Sequence, residues 1–159
     1  MTQPALLTTR RTMLVMTASA VAGFATGAGA QSKSTIKVWK DPNCGCCTGW
    51  VEHLRSNGFV ATVTNSADMQ AVKVRLGVPE ELASCHTAEI AGYIVEGHVP
   101  APAIRRLLSE KPAARGLAVP GMPIGSPGME GGTPEVYEVI LFGKDHPVSF
   151  GRFISDRPV

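Results

Sequence analysis

Cys44, Cys46 and Cys47 fall within four consecutive residues, and the remaining cysteine, Cys85, follows thirty-eight residues after Cys47. Thiolates attack disulfides and bind soft metals, so this spacing points to redox or metal chemistry. The flanking residues put the triplet where a strand hands over to a helix. Free N–H groups and a partial positive charge at a helix start lower a thiol's pKa and favour the thiolate. Three thiolates this close repel one another, and protonation, oxidation or a bound cation must relieve that repulsion.

Three chemistries compete for these cysteines. A purely structural disulfide framework explains the triplet poorly, because a bridge within Cys44 to Cys47 closes too small a loop to constrain the unfolded chain. Thiol–disulfide exchange fits Cys44-x-x-Cys47 between a strand and a helix, the position of a thioredoxin-like active site. Against it stand the extra thiol of Cys46 and the absence of a proline directly before the Ala88 strand. A soft metal site is the third reading. Adjacent cysteines struggle to wrap one tetrahedral zinc ion, whereas Cu(I) accepts low coordination and bridging sulfurs. The other soft donors are Cys85, His86, and the Met122 and Met129 of a Gly/Pro-rich stretch. Met69 has the helical spacing of a core residue, and His53, His98 and His146 read as structural or surface residues.

The elements that must position this chemistry follow from patterning. Ile36–Trp39 alternates like a strand and runs into the turn residues Asp41-Pro42-Asn43. Residues 48–57 carry the helical stripe Trp50, Val51, Leu54, closed by Asn57-Gly58. A strand over 61–64 and a helix bearing Met69, Val72 and Leu76, capped by Ser66 or Asp68, complete a β-α-β-α opening. One helical turn is expected over 79–83, a single strand over 88–95, and a helix opening at Pro100 or Pro102. Residues 116–133 show no helical or strand period and read as one long loop, and residues 136–142 and 148–153 read as a hairpin.

Residues 1–30 contain no acid, carry Arg10-Arg11 and an apolar run, and end in Ala28-Gly29-Ala30. These are the parts of a cleaved export signal, and Thr9-Arg10-Arg11 resembles the twin-arginine form, with Sec export the alternative. The run is too diluted by Thr, Ser and Gly for a membrane span. The expected mature chain is one domain over 31–159, in the periplasm. Of 15 Lys+Arg, two precede Gln31, so 15 − 2 = 13 basic residues face 13 acidic ones in that part. With 6% aromatics and no basic field, nucleic-acid binding is excluded as a class.

Taken together, Asp41-Pro42-Asn43-Cys44-Gly45-Cys46-Cys47, Ser84-Cys85-His86-Thr87, Gly97-His98-Val99-Pro100 and Val119-Pro120-Gly121-Met122-Pro123 resemble the CopG-type family of periplasmic metal-binding proteins associated with copper resistance. The resemblance implies a thioredoxin-like fold, copper held by the cysteine cluster, and a role in copper tolerance that includes a change of copper oxidation state. The expected ligand set is Cys44, Cys46, Cys47 and Cys85, with His86, Met122 and Met129 in addition. Copper ions, Cu(I) foremost, and other periplasmic copper-handling proteins are the expected partners. A thiol–disulfide or copper oxidoreductase is the alternative function.

Overall fold

A computed structural model describes residues 34–143 and 146–159; the export signal read over 1–30 lies outside them. One mixed sheet of eight strands runs in the order β2-β1-β3-β4-β5-β6-β7-β8. Its first half alternates with helices: β1 (Thr35–Lys40), α1 (Gly45–Ser56), β2 (Val60–Asn65), α2 (Met69–Leu76), a 3-10 turn (Glu80–Leu82), β3 (His86–Ile90), β4 (Tyr93–Gly97) and α3 (Ala101–Glu110). The second half is β5 (Gly116–Val119), β6 (Val136–Phe142), β7 (Val148–Ile154) and β8 (Arg157–Pro158). β1 is parallel to β2 and antiparallel to β3, and β4 is antiparallel to β3 and parallel to β5.

The period-2 side-chain alternation of the strands gives the sheet two apolar faces. Ile36, Val38, Ala88, Val95, Leu117 and Val119 meet α1 through Trp50, Val51 and Leu54 and α3 through Ile104 and Leu107. Ile94, Ala118 and Phe142 face the other way, onto Val72 and Leu76 of α2. Trp50, Leu54, Ile104 and Leu107 have no exposed surface, so α1 is fixed over the sheet through the i, i+3, i+4, i+7 stripe Cys47, Trp50, Val51, Leu54.

Two expectations are corrected. The single strand over 88–95 is a hairpin, because Ala91 and Gly92 both take positive φ (49° and 85°) and reverse the chain between β3 and β4. Two positive-φ residues in succession match the twist of a tight hairpin, and in an otherwise apolar run only Gly92 marks the turn. The unstructured reading of 116–133 also fails at its start, where Gly116–Val119 forms a fully buried strand between β4 and β6. Being buried on both faces, β5 carries no polar alternation to betray it. A side chain at Gly116 would overlap the carbonyl of Ile94, so glycine is needed for that strand to seat. The C-terminal hairpin forms as β6 and β7, with β8 added beyond it.

Candidate metal centre

Asp41 to Asn43 turn the chain from β1 into α1: Cys44 N–H donates to the Asp41 carbonyl at 3.1 Å, and Asn43 N–H to the Asp41 carboxylate at 2.7 Å. Lys40, largely buried, donates from Nζ to the carbonyls of Asp41 (2.8 Å), Pro42 (3.4 Å) and Cys44 (3.4 Å), gathering this turn from beneath. Cys44 is the N-cap of α1, its Sγ accepting the Cys47 N–H at 3.3 Å. Cys44 and Cys47 form a disulfide, while Cys46 and Cys85 are free.

The four sulfur atoms lie within 4.8 Å of one another. Cys46 Sγ is 3.4 Å from Cys44 Sγ and 3.9 Å from Cys85 Sγ, so it bridges the triplet to the distant cysteine. Burial, reinforced by the neighbouring Cys46 sulfur, pushes the Cys85 thiol up to about 11. A bound cation reverses that penalty, because it supplies the positive charge that burial withholds.

Behind the sulfurs stand two buried imidazoles. His98 Nδ1 is 2.8 Å from the Pro127 carbonyl, which can only accept, so Nδ1 carries the proton and Nε2 the lone pair. That lone pair faces Cys85 Sγ at 3.3 Å. His86 packs its ring against Trp50 (centroids 4.3 Å apart) and edge-on to His98 (5.0 Å). It has no exposed surface, and neither ring nitrogen has a hydrogen-bond partner. Burial, then the neighbouring His98 and Lys73, holds the His86 pKa well below its ordinary value; burial also lowers that of His98. Both rings are therefore neutral near pH 7, the form that ligates metals. Donor atoms of Cys85, His86 and His98 also lie within 4.8 Å of one another. The unpaired His86 nitrogens and the soft sulfur set both suit a bound metal ion.

The loop between β5 and β6 is fastened to this region at three places. Ser84 Oγ donates to the Gly121 carbonyl at 2.5 Å, His98 to Pro127, and Gly128 lies against α1, where a side chain on it would overlap the Cys46 carbonyl. Met122 is 54% exposed at one end of the fastened segment, and Met129, half-buried, follows Gly128 at the other. Cys44, Cys46, Cys47, Cys85 and His86 are thus brought together, while the two methionines stand on the rim loop.

Sequence reasoning missed His98, read as a turn residue; it is fully buried and directed at Cys85. Its signal lay in Gly97-His98-Val99-Pro100, a buried passage rather than an exposed turn. His53 is not on the solvent side: half-buried, it accepts the Ala101 N–H at 3.1 Å through Nε2. His146 is exposed, as expected.

This arrangement has solved relatives. A structure titled copper resistance protein CopG, form 2, is 47% identical, covers 76% of this chain and 98% of its own, and superposes with a TM-score of 0.72. Form 1 is 48% identical over 75% and 96%, with a TM-score of 0.70. The chain belongs to the CopG family of copper resistance proteins. A family model described as a protein of unknown function, DUF411, matches residues 82–129, the stretch holding Cys85, His86, His98, Met122 and Met129. No curated protein matches it. Among the described residues, no helix is long and apolar enough to cross a membrane.

Proposed function

We propose that this protein, reduced and in the periplasm after loss of residues 1–30, holds Cu(I) as a multinuclear thiolate cluster in the service of copper tolerance. The observation that carries this reading is the mutual approach of four sulfurs within 4.8 Å, drawn from two chain segments. Cys44, Cys46 and Cys47 are too crowded to surround one tetrahedral ion, but each thiolate has lone pairs for two metals. Added cations relieve the repulsion among the sulfurs. Reducing Cys44–Cys47 takes two electrons from an external dithiol, which leaves as its own disulfide, and frees two further cysteine sulfurs for metal. His98 and His86 supply neutral nitrogen donors behind Cys85, and Met122 and Met129 supply weaker, neutral thioethers from the rim.

Copper count on anaerobically reduced protein, titrated with Cu(I) against a competing chelator, tests the reading. More than one Cu(I) per chain is expected, with fewer in Cys46→Ser and Cys85→Ser. A single ion indifferent to Cys46→Ser, or tighter binding of Zn(II) than Cu(I), contradicts it.

The Cys44–Cys47 disulfide favours a second reading, a thiol–disulfide or copper oxidoreductase. The order β2-β1-β3-β4, with the disulfide at the start of α1 and Cys85 just before β3, supports a thioredoxin-like core. Cys46 stands only 3.4 Å from Cys44 and diverts a mixed disulfide before Cys47 can resolve it. Negligible insulin reduction is therefore expected. Turnover at thioredoxin-like rates, lost in Cys44→Ser, favours the oxidoreductase.

A further inference from the structure

Glu96 has no exposed surface, yet it carries a charge on the α2 side of the sheet. Its Oε1 accepts from Lys73 Nζ of α2 at 2.5 Å and from the Ser84 backbone N–H at 2.6 Å; its Oε2 accepts from the Thr87 hydroxyl at 2.6 Å. Lys73 Nζ also reaches Thr87 Oγ1 at 3.1 Å, closing a ring of three side chains to which the Ser84 N–H is joined as a fourth group. A buried ion pair gains little over well-packed apolar side chains, because desolvating both charges offsets their attraction. Stability alone therefore does not account for it. Its distinguishing feature is the fourth group: the carboxylate holds the backbone of the residue immediately before Cys85.

The next two residues, the last of β4 and the one that follows it, complete the support. Gly97 takes φ +71°, and a side chain on it would lie 2.7 Å from Ser84 Cβ and 2.5 Å from the Val119 carbonyl. Ser84 can close onto the end of β4 only because that position is bare. His98 then faces Cys85 Sγ. The tripeptide Glu96-Gly97-His98 thus meets Ser84-Cys85 by a charge-assisted hydrogen bond, by an absent side chain, and by a nitrogen lone pair.

We infer that Glu96, neutralised by Lys73, is a positioning residue: it fixes Ser84-Cys85 so that the Cys85 sulfur stands opposite Cys46 before any metal arrives. Its bearing on copper rests on the cluster reading above, whereas the placement of Cys85 in metal-free protein does not. Holding a ligand in place before binding removes the ordering cost from the binding step.

The test compares two double variants that both remove the ion pair. Lys73→Met/Glu96→Gln keeps an acceptor for the Ser84 N–H; Lys73→Met/Glu96→Leu does not. In reduced, metal-free protein, alkylation of Cys85 by iodoacetamide, located by peptide mass, is expected to match wild type in the Gln variant. In the Leu variant it is expected to be about tenfold faster, since a buried donor losing its acceptor eases local opening by that order. Copper titration of the same proteins is expected to show a lower Cu(I) count or affinity in the Leu variant alone. Equal alkylation in both folded variants overturns the inference. Wild type that binds no Cu(I), with the alkylation contrast intact, overturns the copper reading and leaves the positioning role standing. If the Leu variant does not fold, Ser84→Pro removes the donor instead, after an Ala83 already extended as a residue before proline requires. Ser84→Ala controls for the hydroxyl. Faster Cys85 alkylation in Ser84→Pro than in Ser84→Ala supports the inference, and equal rates overturn it.

Discussion

The Nε2 lone pair of His98 faces Cys85 because its Nδ1–H is committed to the Pro127 carbonyl, 2.8 Å away. A ring whose tautomer is set by a second bond makes a better ligand than a free one, and losing such support typically costs about 10–100-fold in metal affinity. His98→Leu removes the ring together with that support and is expected to weaken Cu(I) binding by at least about tenfold. Met122→Leu and Met129→Leu are expected to have smaller effects, since a neutral thioether on the rim is a weaker donor. Competition with a chromogenic Cu(I) chelator reads all three, and a methionine variant weaker than His98→Leu reverses this order. His53 offers a separate residue-scale outcome. Burial lowers its pKa below 6.5, against the opposing pull of Asp156 and Glu130. Its neutral form, which caps α3 through Ala101 N–H, is thus favoured in the folded state. Such a group contributes stability that is complete above the unfolded pKa near 6.5 and is lost as pH falls through the folded value. Comparing urea unfolding of wild type and His53→Gln between pH 7.5 and 5.5, wild type is expected to lose more stability on acidification. Parallel pH profiles contradict the cap.

At the scale of elements, the rim loop depends on glycine. Gly128 takes φ +88° where it rests on α1, and any side chain there meets the Cys46 carbonyl and the Trp50 N–H. Gly128→Ala adds a left-handed penalty of about 1–2 kcal/mol to that overlap. The loop is expected to lift from α1, costing the Pro127 contact to His98, lowering Tm by roughly 5 °C and weakening copper binding. Unchanged Tm and affinity in Gly128→Ala contradict this packing. Much of the layout was readable in advance. The stripe Trp50, Val51, Leu54 and the Asp68 cap carry their periodicity openly; α2 forms where that pattern puts it, and so does α1 except that it starts at Gly45, three residues ahead of the expected start, taking Cys46 and Cys47 into its first turn. β5 was not readable, because a four-residue strand buried on both sides has no alternation. The same limit hid the inner half of the site. Cysteine spacing exposes Cys44, Cys46 and Cys47, but His98 and Glu96 matter through β3–β4 pairing, which a hairpin turn at Ala91-Gly92 creates and local patterning does not announce.

For the whole molecule, the centre joins four parts that are otherwise separate: the start of α1, the start of β3, the end of β4 and the loop after β5. A ligand bound only by the folded chain stabilises it by mass action, about 2.7 kcal/mol at a hundredfold excess over Kd. Reduced protein loaded with Cu(I) is expected to melt several degrees higher than reduced metal-free protein, with most of the gain lost in Cys85→Ser because that variant uncouples β3 from α1. A gain that survives Cys85→Ser contradicts a cluster spanning both segments. The central claim is that copper is shared among thiolates rather than held singly. X-ray absorption at the copper edge of the reduced, fully loaded protein measures this most directly. Predominantly sulfur coordination with a resolved copper–copper distance, diminished in Cys46→Ser, is the predicted result. Isolated copper with no metal neighbour, unchanged by Cys46→Ser, would contradict it.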